Sequence, residues 1–172
     1  MSAFIPPLKR WVFLLTYDKF RAGNYDLILY SGMLRSYESA MIISRELAIA
    51  DVKILTSLRD RSLGEIEILT SEEITGSLGF DMTNILSERV DKVPEAETVE
   101  HLRSRVRMTE TYLQSKYSGK RVLGVSHGGF IRMFFRELVS DPHNIRFTNC
   151  SYFTVYIDSG KISLMELSAK QV

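Results

Sequence analysis

The stretch that most constrains the fold is Arg121 to Arg132, Arg-Val-Leu-Gly-Val-Ser-His-Gly-Gly-Phe-Ile-Arg, where a short apolar run meets a Ser-His pair and two glycines before an amphipathic segment begins. Val122, Leu123 and Val125 form the kind of run found in strands covered on both faces. Phe130, Ile131, Phe134, Phe135 and Leu138 then recur at helical spacing. The stretch reads as strand, sharp turn and helix, with His127 at the carboxyl end of the strand. Ligands of open α/β sheets bind at that end, and Gly128 and Gly129 permit a close approach to the first helix amides. An anion is the ligand that suits such a turn.

Similar punctuation recurs along the chain. Trp11 to Leu15 reads as a first strand after an arm containing Pro6 and Pro7, Tyr25 to Tyr30 as a second strand and Val52 to Leu55 as a third. Between the last two, a helix from Arg35 carries Ala40, Ile43, Leu47 and Ala50 on one stripe. Residues 57 to 92 read as a long excursion over one end of the sheet, in which Thr70-Ser-Glu-Glu73 fits a capping box and starts a short helix. After Pro94, residues 97 to 117 place Val99, Leu102, Val106 and Leu113 on one face, and Ser118-Gly119 ends that helix. Tyr152 to Ile157 and Ile162 to Leu167 flank Asp158-Ser-Gly-Lys161, a hairpin signal. The pattern predicts an α/β three-layer sandwich, with a mostly parallel central sheet, helices on both faces and a C-terminal hairpin. At 172 residues the expectation is one domain over 1–172, able to bury roughly 70% of its unfolded surface.

Composition excludes some partners. With 22 basic and 21 acidic side chains the net charge is +1, so no general field attracts nucleic acid or an anionic membrane. The single cysteine, Cys150, forms no internal disulfide and no Cys-based zinc site, which makes a reducing cytoplasm the default expectation. Trp11 to Leu15 is far too short for a signal or membrane-spanning segment. A soluble protein with no metal and no cofactor is expected; a protein partner is compatible with the sequence, and the oligomeric state is not legible in it.

Four blocks, in order, resemble the histidine phosphatase superfamily, which includes the cofactor-dependent phosphoglycerate mutases. Val125-Ser-His-Gly-Gly-Phe-Ile-Arg132 is similar to the block of that family's second histidine, which implies that His127 contacts the transferred phosphoryl group. Tyr30-Ser-Gly-Met-Leu-Arg-Ser-Tyr-Glu-Ser-Ala40 resembles its strand-to-helix block and implies a phosphate-binding Arg35. Leu58-Arg-Asp-Arg-Ser-Leu-Gly-Glu-Ile-Glu67 resembles the block that often begins Leu-x-Glu, so Asp60 stands where the family places a proton donor. Pro94-Glu-Ala-Glu-Thr98, with the helix that reaches Arg105-Val106, is similar to Pro-Gly-Gly-Glu-Ser, and Asn149-Cys-Ser151 is a weaker further likeness. The resemblance runs from about Trp11 to Val155 and implies a phosphate or a small phosphomonoester as ligand.

The chain departs from that family at its first block. Arg-His-Gly is expected directly after the first strand, and Thr16-Tyr17-Asp18 stands there, so Tyr17 takes the place of the nucleophilic histidine. The only histidines are His101, His127 and His143. A phosphohistidine mechanism needs a neutral imidazole to attack phosphorus, donors for the equatorial oxygens and an acid for the leaving alcohol. Tyr17 is a poor substitute, because at a reference pKa near 10 only about 0.1% of a phenol is ionised at pH 7. The N-terminal region is also short, with about ten residues between its two strands where a parallel crossover usually takes a dozen or more. A degenerate site that binds phosphate through Arg35, His127 and the Gly128 turn, with impaired catalysis, is the resulting expectation. An active phosphomonoesterase or mutase with a rearranged site is the alternative.

Other readings stay open beside it. Gly124-Val-Ser-His-Gly128 also satisfies the nucleophile elbow of serine hydrolases, with Ser126 as nucleophile, Asp141 as acid and His143 as base. A structural, partner-binding domain is a third class. His127 can be a strand-end histidine bonded to backbone, Arg35 a solvated first-turn arginine, Asp60 a loop carboxylate, and Glu97 a cap for the long helix.

Overall fold

The structure is a computed structural model that describes residues 24–78, 90–138, 145–147, 151–158, 161–168 and 170–171. In chain order its main elements are β1 (Leu27–Tyr30), α1 (Leu34–Leu47), β2 (Val52–Ile54), α2 (Ser71–Leu78), α3 (Val99–Tyr117), β3 (Val122–Val125), α4 (Gly128–Leu138), β4 (Ile145–Arg146), β5 (Tyr152–Asp158), β6 (Lys161–Ser168) and β7 (Lys170–Gln171). The expected first strand, Trp11 to Leu15, lies outside the described residues, as do Tyr17, Asp141, His143 and Cys150.

Among the described residues, β1 is the centre of a three-stranded parallel sheet between β2 and β3, with Ile28 opposite both Val52 and Leu123. Successive strand residues face opposite sides. Leu27 and Leu29 therefore pack with Leu102, Val106, Phe130, Met133 and Phe134, whereas Ile28 packs with Ala40, Ile43 and Leu123. Helices thus cover both faces, α1 on one and α3 with α4 on the other, as the α/β sandwich requires. Burying each such side chain contributes about 1.5 to 3 kcal/mol. A one-residue slip of β1 would send Ile28 to the wrong face, so the alternation holds the register that places the strand ends.

Helix α1 stops earlier than its apolar stripe suggests. Ala48 adopts a left-handed conformation at φ +53°, and Ile49 N–H donates to the Ser44 carbonyl at 3.0 Å. That closure is a Schellman motif without glycine, so Ala50 falls outside the helix.

The excursion between β2 and α3 has its own small core of Leu63, Ile66, Ile74, Val90 and Val93. The capping box forms as expected: Thr70 N–H donates to Glu73 Oε2 at 2.7 Å, and Glu73 N–H to Thr70 Oγ1 at 3.3 Å. Gly64 lets two strands of this loop touch, since a Cβ there would lie 2.0 Å from the Pro94 carbonyl oxygen. Buried Arg61 ties the loop down through the Glu97 carbonyl and an ion pair with Asp91. Helix α3 is capped by Thr98 Oγ1, which accepts from His101 N–H at 3.1 Å, and by Asp91, which accepts from Val99 N–H at 3.0 Å. Glu97 is not the cap; it faces Arg105.

At the C-terminus β5 and β6 pair antiparallel as the expected hairpin, and β4 pairs antiparallel with β7. Phe153 and Val155 pack against the α4 side of the core. Among the described residues no helix is long and apolar enough to cross a membrane.

Candidate functional site

Because β1 and β3 are parallel neighbours with Tyr30 opposite Val125, the residues after each emerge side by side at the carboxyl edge. Ser31 follows β1 and His127 follows β3. Ser31 Oγ lies 2.7 Å from His127 Nε2, joining positions 96 residues apart. Helix α1 begins three residues after Ser31 and places Arg35 in its first turn, where Arg35 Nε–H donates to His127 Nδ1 at 3.0 Å.

These contacts assign the proton on the imidazole. An arginine Nε has a hydrogen and no acceptor capacity, so Nδ1 must offer its lone pair and the proton of the neutral ring sits on Nε2. The serines agree with that assignment. Ser36 Oγ–H donates to the Met33 carbonyl at 2.7 Å, which leaves Ser36 to accept from Ser31 Oγ–H at 2.7 Å. Ser31 in turn accepts from His127 Nε2–H and from Met33 N–H, the latter at 3.3 Å. Ser31, Ser36 and His127 are all buried. Burial lowers the His127 pKa below its usual 6.5; the charge of Arg35 adds to this, Asp60 opposes it and Arg105 adds a smaller push downward. The neutral ring is the resting form.

Asp60 arrives from the other side. Its Oδ1 accepts from Gly129 N–H at 3.0 Å and from Arg61 N–H at 3.1 Å, and its Oδ2 lies 3.5 Å from Arg35 Nη2. A carboxylate thus sits on the first turn of α4, where the helix dipole favours negative charge. Gly129 makes room for it: a Cβ there would stand 2.7 Å from Asp60 Oδ1 and 3.2 Å from Arg61 Cβ. The Gly128 N–H, one residue earlier, has no partner among the described residues.

The Asp60 loop is held by Arg105 of α3. Its guanidinium donates to the carbonyls of Ser57 at 2.7 Å, Arg59 at 2.8 Å and Asp60 at 3.3 Å, and to both carboxylate oxygens of Glu97. It also stacks 5.4 Å from the centroid of the Phe130 ring. Burial raises the Glu97 pKa, but Arg105, with help from His101, outweighs it and leaves the carboxyl below the usual value.

Of the residues marked from sequence, His127, Arg35, Asp60 and the Gly128 turn therefore converge, while Tyr17 lies outside the described residues. Ser126, the elbow candidate, donates Oγ–H to the Leu58 carbonyl at 2.7 Å. His101 is exposed on α3 and bonded to Glu97 at 2.8 Å. Ser31 and Ser36 were not singled out by sequence, and Arg105 entered only as the end of the fourth block, with no role. Their signal was weak: two small hydroxyls inside the strand-to-helix block, and a cation eight positions beyond Glu97. No group of three His, Cys, Asp or Glu able to hold a metal occurs among the described residues.

A family model for the histidine phosphatase superfamily, branch 1, matches residues 14–170. No curated protein sequence matches the chain. Solved structures do. A mycobacterial hydrolase superposes with a TM-score of 0.73 at 18% identity, over 88% of this chain and 79% of that one. A mycobacterial glucosyl-3-phosphoglycerate phosphatase in complex with inorganic phosphate gives 0.71 at 19% identity, over 88% and 80%. A mutant phosphoserine phosphatase from Entamoeba histolytica, in complex with phosphoserine, gives 0.68 at 19% identity, over 88% and 77%. At these identities the likeness concerns the fold.

Proposed function

Because the chain belongs to branch 1 of the histidine phosphatase superfamily, we propose that it retains a phosphate-recognising pocket but not conventional phosphohistidine turnover, and that it acts as a phospho-ligand binding or regulatory module in a reducing cytoplasm. The observation that carries this reading is the state of His127. One ring nitrogen is bonded to Ser31 and the other to Arg35, so the only imidazole at the strand ends among the described residues is a held, neutral group. No histidine stands in the place of Arg-His-Gly, where the resemblance puts Tyr17; of the other two, His101 is exposed on α3 and His143 lies outside the described residues.

In this reading the outward part of the Arg35 guanidinium, His127 and the Gly128 N–H hold a phosphate or a small phosphomonoester. Arg35 is 57% exposed at its side chain, which leaves its fork accessible to a ligand. Each charge-assisted hydrogen bond typically contributes about 1.5 to 3 kcal/mol. Two or three of them give weak, reversible binding. Calorimetric titration with inorganic phosphate tests this, and Arg35→Ala is expected to weaken binding at least about tenfold. Absence of binding in the parent protein, or binding indifferent to Arg35→Ala, sinks the reading.

A second reading is a phosphomonoesterase with a rearranged site, in which Tyr17 attacks and Asp60 protonates the leaving group. It draws on the phosphatases among the structural neighbours. Turnover of p-nitrophenyl phosphate that disappears with both Tyr17→Phe and His127→Ala would favour it.

A further inference from the structure

The serine relay sets which face of His127 a ligand meets. Ser36 holds the Ser31 hydroxyl hydrogen away from the ring, the ring proton is directed at Ser31, and Nδ1 turns a lone pair toward Arg35. We infer that Nδ1 acts as a proton-demanding acceptor, so that the pocket selects phosphate species carrying a P–O–H over oxyanions that carry no proton. The inference rests on the phosphate-binding reading above and adds to it a specificity.

Because Ser31 holds Nε2, an anion contacts the His127 ring only at Nδ1, and there it takes the place of Arg35 Nε–H, the donor that satisfies Nδ1. A hydrogen phosphate dianion replaces that donor with its own hydroxyl: the P–O–H donates to Nδ1, Arg35 turns onto the remaining oxygens, and every polar atom is paired with no change in proton count. A monoester monoanion does the same. Sulfate cannot, because each of its oxygens is an acceptor, and an oxygen facing the Nδ1 lone pair leaves a buried acceptor unpaired. Sulfate therefore binds only with the uptake of one proton from solution at Nδ1. The charged groups facing the ring among the described residues are Arg35 on α1, Asp60 on the loop after β2 and Arg105 on α3. Burial and the two arginines resist that uptake, and Asp60 assists it.

Ser31 and Ser36 are positioning residues in this scheme. Without the Ser36 hydroxyl, Ser31 Oγ–H is released to donate to Nε2, which moves the ring proton to Nδ1 and supplies the donor that sulfate lacks.

The experiment is calorimetric titration of the whole chain with inorganic phosphate and, separately, sodium sulfate at about pH 8 and about pH 5.5. At pH 8 phosphate is expected to bind at least about tenfold more tightly than sulfate, the usual consequence of one unpaired buried acceptor. At pH 5.5 the gap narrows, because sulfate binding takes up a proton and so strengthens relative to phosphate as protons become more available. His127→Gln, whose amide offers a donor to either anion, closes the gap at both pH values. Ser36→Ala, with its fold checked by circular dichroism, narrows it at pH 8. Equal affinities at pH 8, or a gap unchanged in both variants, overturn the inference and leave phosphate binding standing. Failure to bind either anion overturns both.

Discussion

Asp60 Oδ1 accepts a hydrogen bond from Gly129 N–H at 3.0 Å across 69 residues of sequence, so the first turn of α4 already carries an anion of the protein's own. The same carboxylate approaches Arg35. A phosphate bound as proposed would share this corner with it. Asp60→Asn keeps an oxygen for Gly129 and removes the charge, so phosphate affinity is expected to rise about threefold to tenfold, a change of roughly 1 kcal/mol of like-charge repulsion at partly solvated separations. Calorimetric titration measures this. Weaker binding in the variant would show that Asp60 helps hold the ligand.

The two glycines of the turn predict opposite outcomes. Gly129→Ala puts a methyl 2.7 Å from Asp60 Oδ1 and is expected to cost roughly 1 to 3 kcal/mol in urea unfolding, in line with overpacked sites. Gly128→Ala meets nothing nearer than Arg132 Nη1 at 4.0 Å, and better helix propensity makes it neutral or stabilising by up to about 1 kcal/mol. Equal effects at the two positions would remove the packing explanation.

Arg105 and Glu97 are both largely buried, at 16% and 9% side-chain exposure. Removing either alone leaves the other charge short of its partner, and Arg105→Ala also releases three loop carbonyls. The expected loss is about 3 kcal/mol for Arg105→Ala and less for Glu97→Gln. A double-mutant cycle by chemical denaturation should show strong coupling between them. Additive effects would mean that the pair is not the anchor of the Asp60 loop.

The lowered pKa of His127 gives a pH dependence with a definite sign. The unfolded chain binds a proton at this ring near pH 6.5, while the folded chain resists it until a lower pH, so the contribution to stability is full above 6.5. It is lost as pH falls from 6.5 through the folded value. Denaturation midpoints at about pH 7.5 and about pH 5.5 are expected to fall further for the parent protein than for His127→Gln. An equal fall in both assigns the effect to other groups.

Much of this was legible locally. Helix α4 follows from the 3.6-residue spacing of Phe130, Ile131, Phe134 and Phe135, and the start of α2 from a Thr and a Glu three positions apart. The end of α1 was not legible, because Ala48, itself exposed, takes the left-handed closure that glycine usually marks, with its N–H and that of Ile49 bonded back to the helix and Ile49 buried in the core. Glu97 read as a cap because acidic residues suit helix starts, but Thr98 and Asp91 took the amides and Arg105 took the carboxylate.

The sequence by itself determined the order of the main elements from β1 to α4 and the C-terminal hairpin, the Ser-His-Gly-Gly turn and the lack of an Arg-His-Gly, because each depends on residues within a few positions of one another. Only the tertiary structure decided what His127 can do. Its tautomer depends on Ser31 and Arg35, more than ninety residues away in the chain, and these arrive because β1 pairs with β3 rather than because of any local preference. Helix dipoles and hydrogen bonds act over a few ångströms. Which groups come that close is set by strand pairing and by two-sided burial of the sheet.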